Sequence, residues 1–300
     1  MTGTGTTGTR TTGTEVGTDT VTGTGGTVYA RVTGGVADVR LNRPEKLNAL
    51  NSALFGDLLE VGLLLRDRAD LRAVVLSGEG RGFCAGLDFA SFGRMAEGGR
   101  DWREPDLPRP CLLAPEDPLT PLNRGQRAVR VWGTAGVPVI AAVHGPAFGG
   151  GLQLALGADI RIVAPDAKLC VAEVNWGLVP DMGGSQLLPR MVGDDVAMEL
   201  TLAGSVITGA EADRIGMATR TAGDPRAAAL ELATDIAARS PDAVRAARAL
   251  LVSSRELSLE DGLAAERQAM ANVAGGPNQR EAVRARLEKR PAAFTDSPEP

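Results

Sequence analysis

One histidine and one tyrosine stand in 300 residues, and aromatic residues make up only 3% of the chain. The single imidazole, His144, cannot build a histidine-based metal site, and unaided it cannot complete a Ser-His-Asp triad. So few rings argue against stacking platforms for bases. A net charge of −5 supplies no global field that would favour nucleic acid. Three cysteines, Cys84, Cys111 and Cys170, are an odd number without metal-ligand spacing. Their usage suggests core packing in a reducing, cytoplasmic compartment, with no bound metal. No apolar run approaches the roughly 20 residues of a membrane span. The first residues lack the basic start and central apolar run of a secretory signal.

What is present is a large apolar fraction, 43%, enough for a substantial core. Residues 1–27 are Thr and Gly almost throughout, and the expectation is a disordered tail, because such composition buries too little surface to offset ordering entropy. VYARV and VADVRLN alternate around Gly34-Gly35 and predict a hairpin. Helical spacing follows over residues 52–66, with Asn51 as its cap. LRAVVLSG reads as a buried strand, and GEGRGFCAGLD as a glycine-rich turn. Residues 92–123 are rich in Pro and charge, the mark of a lid or insertion. A second unit repeats the pattern: a helix at 126–134, strand PVIAAVHG, helix GGGLQLALG, and strands DIRIVAP and KLCVAEV. From residue 194 onward the chain reads as nearly all helix. The expected organisation is an alternating α/β core over 28–223, then a helical region over 224–300. Strands alternating with helices predict parallel, right-handed crossover units.

Two glycine turns sit where a strand gives way to a helix, in GRGFCAGLD and HGPAFGGGLQLALGAD. Helix N-termini offer unpaired N–H groups there. Gly145 and Gly150 have the spacing of a phosphate loop, but Gly151 and Leu152 follow in place of Lys and Ser or Thr. The dinucleotide fingerprint is also absent, so nucleotide binding is disfavoured. The alternatives are tight packing turns, or backbone donors aimed at one oxygen that becomes an oxyanion. Glycine suits either role, because no Cβ blocks close approach.

LNRPEKLNAL (41–50), GRGFCAGLD (80–88), PVIAAVHGPAFGGGLQLALGADIRI (138–162) and AEVNWGLVPDMGGSQLLPRMVG (172–193) resemble the crotonase superfamily, the enoyl-CoA hydratase/isomerase fold. The resemblance runs from about residue 28 to the C-terminus. It implies a repeated ββα spiral core, a C-terminal helical oligomerisation region giving a trimer or a dimer of trimers, and acyl-CoA thioester substrates. It implies no cofactor beyond the coenzyme A of the substrate. Carried over by position, the oxyanion donors are the N–H groups of Leu87 and Gly150. Arg43, Lys46, Ala85, Leu87, Asp88, Gly149 and Gly150 fall where the family holds its substrate and CoA. Leu250, Leu251, Leu257 and Leu263 form apolar stripes on the helices implied to pack between subunits.

The family's hydratases place two glutamates against the substrate. Here the second matches Glu173, while Gln153 stands at the position of the first. An amide orients water or a carbonyl but does not exchange protons near neutral pH. Hydration by two carboxylates is therefore in doubt, whereas a 1,3-proton shift needs only one. Gly150 and Gln153 lie three apart on one helix face. Asp181 is the third candidate: an acid that assists proton return, or a cap before GGSQLL. Isomerisation, hydration, and CoA-ester binding with little catalysis remain open at this level. Trp102 is a candidate for lining the acyl tunnel.

Overall fold

The computed structural model describes residues 9–12, 18–98, 113 and 116–296. The expected tail at 1–8 and 13–17, half of the expected insertion, Trp102 and Cys111 lie outside the described residues. In chain order the first half contains β1 (Thr9–Thr12), β2 (Thr18–Thr22), β3 (Val28–Thr33), β4 (Val36–Leu41), α1 (Ser52–Arg66), β5 (Ala73–Gly78), α2 (Phe89–Ala96), α3 (Arg124–Thr134), β6 (Val139–Val143), β7 (Pro146–Phe148) and α4 (Gly150–Leu156). The second half contains β8 (Ile160–Val163), β9 (Lys168–Cys170), α5 (Gly184–Leu187), α6 (Pro189–Val192), α7 (Asp194–Ala203), β10 (Val206–Thr208), α8 (Gly209–Arg214), β11 (Arg220–Thr221), α9 (Pro225–Ala237), α10 (Pro241–Ser253), α11 (Leu259–Val273) and α12 (Pro277–Leu287).

The large sheet runs β1-β2-β3-β4-β5-β6-β8-β11. Its first strands form an antiparallel meander, and from β4 onward all pairs are parallel. The β3–β4 hairpin closes over Gly34 and Gly35, both at positive φ, as a two-residue turn of matching twist requires. β5 and β6 are buried along their whole length, as central parallel strands covered on both faces must be. Their side chains alternate between two cores. Val74, Leu76, Val139 and Ala141 join the main cluster with residues of α1 and α3. Ala73, Val75, Ile140 and Ala142 meet Ala229 and Ala233 of α9 on the other face. Gly62 lets α3 approach α1, since a Cβ there would lie 2.5 Å from a Val131 methyl. A smaller sheet, β10-β9-β7, stands beside the large one and carries the turn into α4.

The structure departs from the sequence reading in several places. β2 lies within the expected disordered tail, pairs with β3 and buries Val21. The loop after it is tied down by acids of α1. Asp57 accepts the N–H groups of Gly25 (2.8 Å) and Thr27 (2.7 Å) and the Thr27 hydroxyl (2.6 Å). Glu60 accepts the Thr24 N–H at 2.7 Å and its hydroxyl at 2.9 Å. Polar residues are thus ordered by polar partners 30 or more positions away. Residues 89–96, partly inside the expected irregular insertion, form α2, capped by Asp88. The strand read in KLCVAEV ends at Cys170, and Glu173–Trp176 is a short 3-10 helix. α9, expected with the C-terminal helices, belongs to the second core.

Among the described residues no helix is long and apolar enough to cross a membrane. α11 buries none of its residues and leaves Leu259 80% and Met270 68% exposed, next to exposed Leu251 and Leu257. Replacing Asp57 with Ala removes the acceptor of three donors. We expect a loss of about 2–4 kcal/mol in chemical denaturation, with residues 23–27 becoming protease-sensitive.

Candidate functional site

The two glycine turns meet because the chain around Cys84 runs beside β7. Cys84 donates its N–H to Pro146 O, and Phe148 donates its N–H to Cys84 O, both at 3.0 Å. Just past this pair each chain turns, at Gly86 (φ 88°) and at Gly149 (φ 49°). On the first, Leu50 N–H bonds Gly86 O at 2.7 Å and Asp88 N–H bonds Leu50 O at 2.9 Å. That clamp fixes Leu87 while leaving its own N–H out of the ladder. On the second, Gly150 opens α4, where the first N–H groups have no intrahelical acceptor. Among the described residues neither N–H, of Leu87 or of Gly150, has a hydrogen-bond partner.

The triple glycine serves distinct needs. Gly149 takes a backbone conformation that side chains rarely adopt. A Cβ at Gly150 would stand 2.7 Å from both Leu50 Cδ1 and Met182 Sδ, and one at Gly151 would stand 2.2 Å from Cys84 O. The turns can therefore approach only with bare backbone. Cys84 is enclosed in this contact, and burial pushes its thiol up to about 12, which leaves it inert.

Glu173 begins the 3-10 helix and is 8% exposed. Its carboxylate lies beside the second turn, since a Cβ on Gly149 would be 3.3 Å from Glu173 Oε1. Oε1 accepts Gln153 Nε2 at 2.5 Å. Oε2 is buried and has no hydrogen-bond partner among the described residues. Desolvation raises the carboxyl above its ordinary range, aided by the negative charge of Asp181 and opposed by its own backbone N–H and the Gln153 amide. Asp181 is exposed at the surface, yet neighbouring protein partly desolvates its carboxyl and raises it too, against the pull of Arg124. It does not cap α5, whose N-cap is Gly183 without a side-chain bond.

Of the residues expected against substrate, Arg43 and Asp88 bind one another. Arg43 Nη2 meets Asp88 Oδ2 at 3.0 Å, and Arg43 Nη1 donates to Ala49 O. Asp88 also accepts Ala90 N–H at 3.1 Å. These bonds and nearby Lys46 overcome its desolvation and hold its carboxyl below the usual range. The pair braces the segment containing Leu87. Ala85 donates its N–H to Leu47 O at 2.9 Å, completing that brace. Lys46 remains exposed on the same edge.

Sequence reading missed Asn48, fully buried at positive φ, whose amide donates to Glu79 O and Gly82 O at 2.9 Å and whose oxygen accepts Arg43 N–H at 2.8 Å. It also missed the N–H groups of Met182 and Gly184, which hold Gln153. A third omission is a group of rings. Phe92 and Trp176 stack with centroids 4.2 Å apart, and Phe89, 76% exposed, meets Trp176 edge-on at 5.7 Å. Phe89 follows Leu87 by two residues and Trp176 follows Glu173 by three, so the ring contacts join the segment after the first turn to the 3-10 helix that Glu173 opens. Among the described residues no cluster of His, Cys, Asp and Glu is arranged to hold a metal.

The family model described as Enoyl-CoA hydratase/isomerase matches residues 31–106 and 124–297. A Mycobacterium tuberculosis protein named "Probable enoyl-CoA hydratase echA8" is 34% identical over 265 residues, covering 87% of this chain and 94% of its own. The mouse mitochondrial Delta(3,5)-Delta(2,4)-dienoyl-CoA isomerase is 35% identical over 239 residues, covering 76% and 69% respectively. The crystal structure of an enoyl-CoA hydratase from Bacillus anthracis superposes with a TM-score of 0.78 at 29% identity, covering 90% of this chain and 100% of that one.

If the Arg43–Asp88 pair is a brace, removing the cation exposes its cost as stability. Arg43→Ala leaves a largely enclosed carboxylate without its partner, and we expect a loss of about 1–3 kcal/mol in urea denaturation. Asp88→Asn, which keeps an acceptor for Ala90 N–H, should lose less.

Proposed function

The chain belongs to the enoyl-CoA hydratase/isomerase family, and from that premise we propose that this enzyme moves the double bond of an enoyl-CoA by a 1,3-proton shift. The thioester oxygen accepts the N–H groups of Leu87 and Gly150. Glu173 removes a proton from the α-carbon, and the electron pair passes to the oxygen as an enolate. The same carboxyl returns the proton at the γ-carbon, so that a 3-enoyl-CoA becomes a 2-enoyl-CoA with no atom gained or lost. Charge that develops on the oxygen meets preorganised donors at the positive end of α4.

One observation carries the choice of isomerisation. The side chain bonded to Glu173 is an amide, so a single buried carboxylate stands beside the two donors. A second reading, hydration of a 2-enoyl-CoA, draws support from Asp181, whose charge is felt by Glu173 and whose carboxyl is itself raised. In that case Glu173 activates water and Asp181 supplies the second acid. Lys46, exposed beside the first turn, is suited to the CoA phosphates. The rings of Phe89, Phe92 and Trp176 are suited to the acyl group. Neither reading asks for a cofactor beyond the substrate's own coenzyme A. Cys84 and Cys170, buried and free, suit a reducing cytoplasm.

Purified protein given 3-enoyl-, 2-enoyl- and dienoyl-CoA esters should convert the 3-enoyl ester and exchange its α-hydrogen with solvent. Glu173→Gln should lower that exchange by about 10²–10⁴-fold while CoA-ester binding persists. Because the base works ionised and its carboxyl is raised, kcat/KM should fall as pH drops through a value above the ordinary glutamate range. Water addition without isomerisation would favour hydration. Binding without turnover would reduce the protein to a CoA-ester binder. Exchange at the wild-type rate in Glu173→Gln would overturn the role of Glu173.

We also propose a homotrimer or a dimer of trimers. Support comes from the exposed apolar residues of α10 and α11 and from the absence of any buried residue on α11. Closed symmetry would repeat that face around an axis. Sedimentation at micromolar concentration should give three or six times the chain mass of 31.1 kDa, and a stable monomer would contradict it.

A further inference from the structure

Gln153 is 2% exposed, and each of its polar atoms is committed. Oε1 accepts the N–H of Met182 at 2.9 Å and of Gly184 at 2.8 Å. Both partners can only donate, so the oxygen must face them and the NH2 must face away. That turns Nε2 toward Glu173 Oε1, at 2.5 Å. The orientation is dictated by the turn through Gly183, at φ 98°, which brings both N–H groups to one point. Gly184 is bare because a Cβ would lie 2.8 Å from Gln153 Oε1. The two oxygens of Glu173 therefore differ: Oε1 is tied to the amide, and Oε2 has no partner among the described residues.

We propose that Gln153 is a positioning residue, locked by the N–H groups of Met182 and Gly184, whose amide anchors Oε1 of Glu173, favours its ionised form and reserves Oε2 as the oxygen that carries the proton. The proposal rests on the role given to Glu173 above. An N–H that binds a carboxylate stabilises the anion, so the lock keeps a desolvated base usable. The other groups acting on Glu173 are its own backbone N–H, which also favours the anion, and Asp181, whose negative charge opposes ionisation. Burial and Glu173 in turn raise the Cys170 thiol. Arg124 acts on Asp181. Of these only the backbone N–H is also a donor, and it is unchanged by substitution at 153. An acid at position 153 would keep an oxygen on the Met182 and Gly184 N–H groups. Its other oxygen would then face Glu173 Oε1, and two carboxylates that close share a proton.

The test is a titration of full-length protein labelled with 13Cδ-glutamate, with the Glu173 signal assigned by its loss in Glu173→Gln. Gln153→Met removes both the amide donor and the acceptor of the two backbone N–H groups. Gln153→Glu retains that acceptor but replaces the donor with a second carboxylate, so it reports proton sharing as well as loss of the donor. The midpoint of Glu173, or of the pair in Gln153→Glu, should move to higher pH in both variants. The acid limb of kcat/KM should follow, with kcat near neutral pH falling about tenfold or more and KM little changed. An unmoved midpoint in Gln153→Met would overturn the proposal and reduce Gln153 to a brace for the Met182–Gly184 turn. If Gln153→Met does not fold, Gln153→Leu, which likewise removes the donor without adding a charge, carries the test. The titration needs no substrate. Failure of wild-type protein to turn over enoyl-CoA would therefore strike the proposed reaction, and an unmoved midpoint would strike the lock.

Discussion

Everything at the site depends on bringing two backbone turns into contact with nothing between them. Backbone donors can converge on one oxygen only if the chains that carry them pack without side chains. Cys84 and β7 achieve this through their mutual bonds, and the glycines at 86 and 151 keep it open: a Cβ at either would run into Phe148 O or Cys84 O at 2.7 and 2.2 Å. The cost is conformational, because glycine loses more freedom on folding than other residues. The surrounding core offsets it. β5 and β6 are buried on both faces, and α1, α3 and α9 hold them in register. The rigid sheet delivers both turns, and the donors themselves are left over from two elementary facts, an unladdered Leu87 and a helix start at Gly150.

Around this contact, charged side chains act mainly as braces. Arg43 and Asp88 secure the segment before α2, and Asn48 stitches the same loop to Glu79 and Gly82. Asp57 and Glu60 order the loop before β3 in the same manner. Asn48, Asp57 and Glu60 each pair with backbone, the arrangement in which burial costs least. Among the described residues three buried side-chain atoms have no hydrogen-bond partner, Nε of Arg40, Nε of Arg245 and Oε2 of Glu173, and of these Oε2 belongs to the carboxylate beside the second glycine turn.

Much of this was legible in the sequence where the rule is local. The period-two hairpin, the all-apolar strands, the capped helices with proline in the first turn, and glycines at strand-to-helix junctions each follow from residues a few positions apart. The motifs around them point to the family and place Leu87, Gly150, Gln153 and Glu173 in one site. What was not legible depends on pairs distant in the chain. Residues 18–27 look too polar to order until Asp57 and Glu60 arrive from α1. Arg43 looks like a free cation until Asp88, 45 residues on, meets it. Composition reports how much a segment can bury, but it carries no information about which distant group will satisfy its backbone.

Gln153 shows the limit most clearly. From the motif alone it is a missing acid, and its substitution for glutamate reads as a loss. In three dimensions it is held by two N–H groups 29 and 31 residues away. Those groups would donate to a carboxylate oxygen as readily as to an amide oxygen, so the turn does not by itself decide which residue belongs at 153. The decision lies on the other side of the group, at Glu173. A second carboxylate there would force the pair to share a proton. An amide instead presents a fixed donor and leaves one titrating group in a desolvated place. Chemistry that takes and returns a single proton is served by that asymmetry, whereas addition of water must recruit its second acid from elsewhere. On the proposed reading, an amide in place of a carboxylate at 153 sets how many protons the site handles and still satisfies the two N–H groups that hold it.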